Sequence, residues 1–287
     1  MSSSFSLIVR ISCPLLHTFR SRVYLSPTYS IHKRSLISKT DFRISSREET
    51  GLIRISPSAS KFLKEDLEAL KIVFRPASSE DAVIPAVNIK NYPKKYEVPE
   101  IDPLVLSNRN FNVNNYKVSD VLVQVADMDG WPFKLRHHPF CELVIGGKSV
   151  TARPEFVIDK DRIAVVIDDK HLKNRMLTKR SDYGEVQLAA EILACGSANL
   201  REIYEDEYVD QEIFAIRVIS TYFTFYRTVI TASYWEELDF GLPKKQLVVI
   251  ERWPPKNGKD EGLDIAEIGG RKVVLTSLAK IREYLLQ

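Results

Sequence analysis

An apolar run that ends in charged residues is the feature that most limits how this chain folds. Residues 163–167 read Ile-Ala-Val-Val-Ile, and the triplet Asp168-Asp169-Lys170 follows directly. A short run rich in β-branched residues predicts a buried strand. Charged side chains at the end of a buried strand are costly unless they are paired, bind a metal or lie at the sheet rim. The triplet therefore indicates a structural or functional partner at this position.

A second predicted strand, residues 151–158, precedes this run and contains Arg153-Pro154-Glu155. Side chains two apart on a strand share a face, so Asp168 and Lys170 point the same way and the residue between them points away. If the connection at 159–162 holds an even number of residues, Glu155 lies opposite either Val166 or Asp168, and its side chain shares a face with that of Asp168. An odd number would place the two carboxylates on opposite faces of the sheet.

Composition limits the class of protein. The 287 residues are 44% hydrophobic and 28% charged, which is typical of a globular protein. No run approaches the roughly 18 uninterrupted apolar residues of a membrane-spanning helix, so we expect no membrane insertion. The three cysteines, Cys13, Cys141 and Cys195, are too scattered to predict a disulfide framework or a zinc site, which favours a reducing compartment.

The amino-terminal region differs from the rest of the chain in charge. Residues 1–40 contain six Lys or Arg and no Asp or Glu, whereas residues 41–287 contain 35 basic and 38 acidic residues. A basic, serine-rich start predicts a mitochondrial transit peptide, with a disordered basic tail on a nuclear or cytoplasmic protein as the alternative. The near-neutral remainder excludes nucleic-acid binding by bulk charge, so such binding would need a local basic patch.

Proline positions and hydrophobic periodicity predict three regions: a presequence or tail (1–40), a linker with a short helix over 60–74 (41–103), and one compact domain (104–287). The predicted order of elements in the domain is mixed α/β. The elements are a helix over 118–128, a turn at 129–132, strands at 141–145, 151–158 and 163–170, a helix over 183–194, strands at 214–220, 222–230 and 246–252, and a closing helix over 272–286.

The two charged motifs together resemble those of the PD-(D/E)XK nuclease superfamily. That family carries an acidic residue after proline on one strand and an acid-any-lysine triplet on the next, which here correspond to Pro154-Glu155 and Asp168-Asp169-Lys170. The resemblance spans about residues 115–235. The stretch 183–286 is also similar to the nuclease-like carboxyl-terminal regions of some Crinkler-type proteins. The implied fold is a restriction-endonuclease-like mixed sheet flanked by helices.

The resemblance implies a mechanism and a set of residues. Glu155 and Asp168 would hold Mg²⁺, with Mn²⁺ as the alternative, and the metal would lower the pKa of a bound water. Lys170 would orient that water against a phosphodiester, and Gln187 matches a glutamine that is functional in many members. The implied partner is nucleic acid, with DNA as the expected substrate.

The loop after the triplet is rich in basic residues that would meet the phosphates of a nucleic acid. A solvated loop is the alternative reading. These residues are His171, Lys173, Arg175, Lys179 and Arg180.

Departures from the family pattern leave a second function open. Glutamate stands at 155 where aspartate is commoner, aspartate stands at 168 where glutamate is commoner, and no acidic residue clearly opens the preceding helix, although Asp120 and Glu142 are candidates. The alternative is therefore a catalytically inactive nuclease-fold module that binds nucleic acid or protein. Glu185, three residues after Asp182, is predicted to be structural, as part of a helix capping box.

Overall fold

In the computed structural model, the described residues are 55–89, 127–170, 184–205, 207–256 and 261–287, and for Lys170 the description covers the backbone alone. All of them belong to the second of two units in the chain, 39–287. The first unit, 1–38, and the predicted presequence lie outside the described residues.

Within these ranges the chain forms ten strands and four α-helices. The strands are β1 (Ile72–Pro76), β2 (Lys134–His137), β3 (Cys141–Ile145), β4 (Lys148–Ala152), β5 (Phe156–Lys160), β6 (Arg162–Lys170), β7 (Gln211–Ile219), β8 (Tyr222–Ile230), β9 (Val248–Trp253) and β10 (Leu263–Asp264). The helices are α1 (Lys64–Ala69), α2 (Glu185–Glu202), α3 (Ala232–Phe240) and α4 (Ile268–Leu285).

The strands build one mixed sheet and a separate hairpin. The sheet has the order β1-β9-β8-β7-β6-β5-β2, with β10 paired to β8, and β3 and β4 form the hairpin. β6 runs parallel to β7, and β1 runs parallel to β9, whereas the other pairs are antiparallel. The predicted α/β class, a mixed sheet flanked by helices, is confirmed.

Each face of the sheet buries its own hydrophobic cluster. Alternate residues of β5 and β6 divide between the clusters, because successive side chains of a strand point to opposite faces. Val157 and Val166 lie in the cluster that contains α2, α3 and the β3–β4 hairpin. Phe156 and Ile167 lie in the cluster that contains α4. Residue 168 therefore lies on the α2 face, and Asp169 lies on the α4 face, as predicted.

Two secondary-structure predictions are wrong. The strand predicted over 151–158 is divided, since β4 ends at Ala152 and β5 begins at Phe156. Pro154 lies between them and has no N–H to donate to a ladder. The helix predicted over 60–74 ends early: α1 stops at Ala69, and the β-branched Ile72 and Val73 start strand β1.

β1 ties the region before residue 90 to the sheet. It pairs along its length with β9, from Ile72 with Val248 to Pro76 with Arg252. The described part of the predicted linker therefore contributes to the same core as the later strands. The predicted domain boundary near residue 104, and the predicted helix over 118–128 as far as residue 126, lie outside the described residues.

α2 is longer than predicted and is fixed on β6 by a buried asparagine. Asn199 Oδ1 accepts from the Ile163 N–H at 2.9 Å, and Asn199 Nδ2 donates to the Ile163 carbonyl at 3.1 Å. The same Nδ2 donates to Gln211 Oε1 of β7 at 3.0 Å. These bonds join the crossover helix to both parallel strands. None of the helices in the described ranges is long and apolar enough to cross a membrane.

Cys141 and Cys195 are close in space although they are far apart in sequence. Both thiols are free and buried, and their sulfur atoms lie 3.7 Å apart between β3 and α2. Burial raises the pKa of the Cys195 thiol well above its usual value. The two side chains pack between the β3–β4 hairpin and α2.

Candidate functional site

The register of the β5–β6 hairpin decides where the predicted site residues lie. Residues 156–158 pair with 165–167 in one register, whereas 159–160 pair with 162–163 in a register shifted by one residue. Ala164 is the extra residue between the two registers, which makes a β-bulge. The turn itself holds an odd number of residues, and the bulge changes the pairing of residues 156–158 to the even parity.

Continuing the outer register by one residue brings Glu155 opposite Asp168. Phe156 pairs with Ile167, and the two carboxylates lie immediately outside this pair. Asp168 is 0% exposed. The Glu155 side chain is 29% exposed, and its Oε2 lies 3.6 Å from His138 Nδ1. The Asp168 carboxylate is therefore buried, whereas the Glu155 carboxylate is partly exposed at the rim.

Arg217 is the neighbour of Asp168 on the next strand. The two residues are partners in the parallel β6–β7 ladder, and Arg217 is 1% exposed. Its Nη1 donates to the Tyr226 hydroxyl at 3.3 Å. Within the described part of the chain its Nε has no hydrogen-bond partner. Two buried residues of opposite formal charge thus occupy adjacent positions on neighbouring strands.

The hydrogen bonds that begin at Arg217 continue through Tyr226 to the first turn of α2. The Tyr226 hydroxyl donates to Glu185 Oε1 at 3.1 Å, and Arg252 Nη1 of β9 donates to the same oxygen at 2.7 Å. Burial raises the pKa of the Tyr226 phenol. Asp182 lies outside the described residues, so the predicted capping box is untested. The side chain of Glu185 reaches the sheet.

Sequence reasoning missed three members of this network: Arg217, Tyr226 and Arg252. Together with Glu185 they form one hydrogen-bonded group, which runs from Arg217 through Tyr226 to Glu185 and Arg252. The available signal was Arg217, a single charge inside the apolar strand 213–219. The strand that contains Tyr226 is also buried at Phe223 and Phe225.

Gln187 lies in the first turns of α2, partly buried. Its Nε2 donates to Glu191 Oε1 at 2.7 Å, one helical turn further on. Glu191 is itself buried. The described contact of Gln187 is therefore along its own helix.

The remaining predicted residues divide into two groups. Lys170 is the last residue of β6, and its backbone pairs with that of Ile219. The predicted phosphate contacts His171, Lys173, Arg175, Lys179 and Arg180 lie outside the described residues, as does Asp120.

Glu142, the other candidate for the helix acid, lies away from this network. It is on β3, and its Oε2 accepts from Arg201 Nη1 at 2.6 Å in the last turn of α2. Across the described residues, no group of three or more His, Cys, Asp or Glu side chains is arranged to hold a metal ion. A metal at Glu155 and Asp168 would take two protein carboxylates and fill its other positions from solvent or substrate.

Comparison of the sequence with protein-family models and with curated proteins finds no match.

Proposed function

We propose that this chain is a metal-dependent nuclease of the PD-(D/E)XK type that hydrolyses phosphodiester bonds in nucleic acid, with DNA as the expected substrate. The observation that supports the proposal is the β5–β6 register, which pairs Phe156 with Ile167 and, if continued by one residue, would bring Glu155 opposite Asp168. The pattern of elements also supports it. A hairpin bearing the two acidic motifs is followed by the crossover helix α2 and by β7, parallel to β6.

The carboxylate pair suits a hard divalent cation. Mg²⁺ takes oxygen ligands and is held by one or two carboxylates, with water and substrate phosphate completing its coordination. Glu155 and Asp168 would hold it. When bound, the ion would supply positive charge at the phosphodiester and lower the pKa of water. Mn²⁺ is the alternative ion.

The other members of the proposed site act on water and substrate. Lys170, two residues after Asp168 on β6, would orient the attacking water. Gln187 is included among the proposed site residues only because of the family resemblance. The basic residues from His171 to Arg180 would contact phosphates of the incoming strand. Mitochondrial import, proposed from the composition of residues 1–40, would bring the enzyme to organellar nucleic acid.

A cleavage assay with a matched pair of variants tests this proposal. Glu155→Gln removes one proposed ligand, and Glu142→Gln alters a glutamate of nearly equal side-chain exposure, 27% against 29%, outside the site. We expect Mg²⁺-dependent cleavage by the wild type, a loss of at least about 100-fold in Glu155→Gln, and no loss in Glu142→Gln. Equal cleavage by the wild type and Glu155→Gln would contradict the proposal, as would inactivity of the wild type.

A second function has one specific observation in its favour. Arg217, a buried basic residue, is the ladder partner of Asp168, so a positive residue is built into the neighbouring strand without a metal ion. This favours a catalytically inactive nuclease-fold module that binds nucleic acid or protein. It predicts salt-dependent binding of nucleic acid, or capture of a protein, with no divalent-dependent cleavage.

A further inference from the structure

Phe140 is an exposed aromatic residue next to a cation. Phe140 immediately precedes β3, and it is 57% exposed. The guanidinium carbon of Arg153, itself exposed, lies 5.8 Å from the centre of the Phe140 ring. This is the geometry of a cation–π contact, and it leaves much of the ring open to a further ligand.

The Phe140–Arg153 pair lies beside the rim carboxylate of the proposed site. Arg153 precedes Glu155 by two residues, which is about 7 Å along an extended chain. The N–H of His138, two residues before Phe140, donates to the Glu155 carbonyl at 2.9 Å. The aromatic and the guanidinium therefore enter from two chain segments that meet at Glu155.

An exposed aromatic face and a guanidinium match the two parts of a nucleotide. Bases stack on aromatic side chains without sequence preference, and arginine binds phosphate. In a duplex both faces of each base are covered by neighbouring base pairs, so a side chain of this kind stacks only on an unpaired base.

We propose that Phe140 and Arg153 bind an unpaired nucleotide next to Glu155, so that the ligand of this surface is single-stranded nucleic acid. The inference rests on the proposed function, because it assigns the kind of strand that the same site receives. DNA and RNA share the base and phosphate chemistry involved.

Binding measured without cleavage tests this inference on the full chain. The background is Glu155→Gln in EDTA, and the probes are a labelled mixed-sequence single strand and its blunt duplex, followed by fluorescence anisotropy over a salt series. We expect Phe140→Ala to weaken single-strand binding about 10-fold, and Phe140→Trp to retain it. Arg153→Ala should weaken it and reduce the salt slope by about one.

Phe240 gives a matched control, since it is 68% exposed at the end of α3. Phe240→Ala should bind the single strand like the background protein, and Phe140→Ala should leave duplex binding unchanged. Equal single-strand binding by the two alanine variants would overturn the inference. An equal loss of duplex binding, or no single-strand binding by the background protein, would overturn it as well.

The two proposals fail separately. Absence of Mg²⁺-dependent cleavage, with single-strand binding that still depends on Phe140, would refute the nuclease function and retain this surface. Cleavage together with single-strand binding that does not depend on Phe140 would refute the proposed nucleotide-binding surface but not the nuclease function.

Discussion

Asp168 of β6 and Arg217 of β7 occupy partner positions in a parallel ladder, and both side chains are buried, at 0% and 1% exposure. We expect these opposite charges on adjacent strands to compensate each other in a region of low dielectric. Removing either one leaves the other buried with less compensation.

The first prediction concerns the energetic coupling of this pair. Arg217→Met should lower the free energy of unfolding by about 3–5 kcal/mol, because it leaves buried carboxylates undercompensated. Asp168→Asn should reduce that cost, so the double variant should be more stable than the sum of the single effects predicts by about 1–3 kcal/mol. Urea unfolding measures all four proteins.

A distant pair provides the control for the cycle. Arg217→Met combined with Glu142→Gln should give additive changes within about 0.5 kcal/mol, because the two sites share no partner. If the changes in unfolding free energy caused by Arg217→Met and Asp168→Asn were equally additive, the two residues would not stabilise each other.

The second prediction concerns the anchor of α2. Asn199→Ala removes the bonds to both backbone groups of Ile163 and to Gln211, and we expect a loss of about 2–4 kcal/mol in unfolding free energy. Ser197, also buried on α2, makes a single long bond of 3.4 Å to the Val144 N–H. Ser197→Ala should therefore cost less than about 1 kcal/mol, and equal costs for the two variants would refute the anchoring role.

The third prediction concerns alkaline pH. Burial raises the pKa of both Tyr226 and Tyr234, whereas tyrosine in an unfolded chain titrates near pH ~10. The stability contributed by the buried neutral phenols is complete below pH ~10. It is lost as the pH rises further, because the unfolded chain then releases protons that the native protein retains.

Absorbance of tyrosinate during an alkaline titration measures this effect. In the wild type, a late increase should coincide with unfolding followed by circular dichroism. The late increase should shrink in Tyr226→Phe and again in the Tyr226→Phe/Tyr234→Phe variant. Full ionisation of the tyrosines while the protein is still folded would contradict the burial of these phenols.

The sequence predicted well where local periodicity controls the structure. The apolar run 163–167, the helix that follows it and the strands at 214–220 and 222–230 form β6, α2, β7 and β8, although α2 extends to Glu202 rather than to residue 194. Apolar patterns determine which elements are buried, so these elements could be recognised without knowledge of their partners.

The site depended on features that no local pattern contains. The parity of the hairpin depends on the bulge at Ala164, which is an ordinary apolar residue in sequence. Tyr226 and Arg252 contact Glu185, and Arg217 contacts Tyr226, only because the sheet orders β7, β8 and β9 side by side. Contacts of this kind follow from tertiary packing and therefore could not be predicted from spacing.

We propose that Glu155, immediately before β5, and Asp168 of β6 bind one divalent cation. Titration of the purified full chain with Mn²⁺, followed by electron paramagnetic resonance of the free ion, tests it independently of cleavage. We predict one bound Mn²⁺ in the wild type and in Glu142→Gln, and affinity lowered at least about 10-fold in both Glu155→Gln and Asp168→Asn. Undiminished Mn²⁺ affinity in these two variants, or no Mn²⁺ bound by the wild type, would contradict the claim.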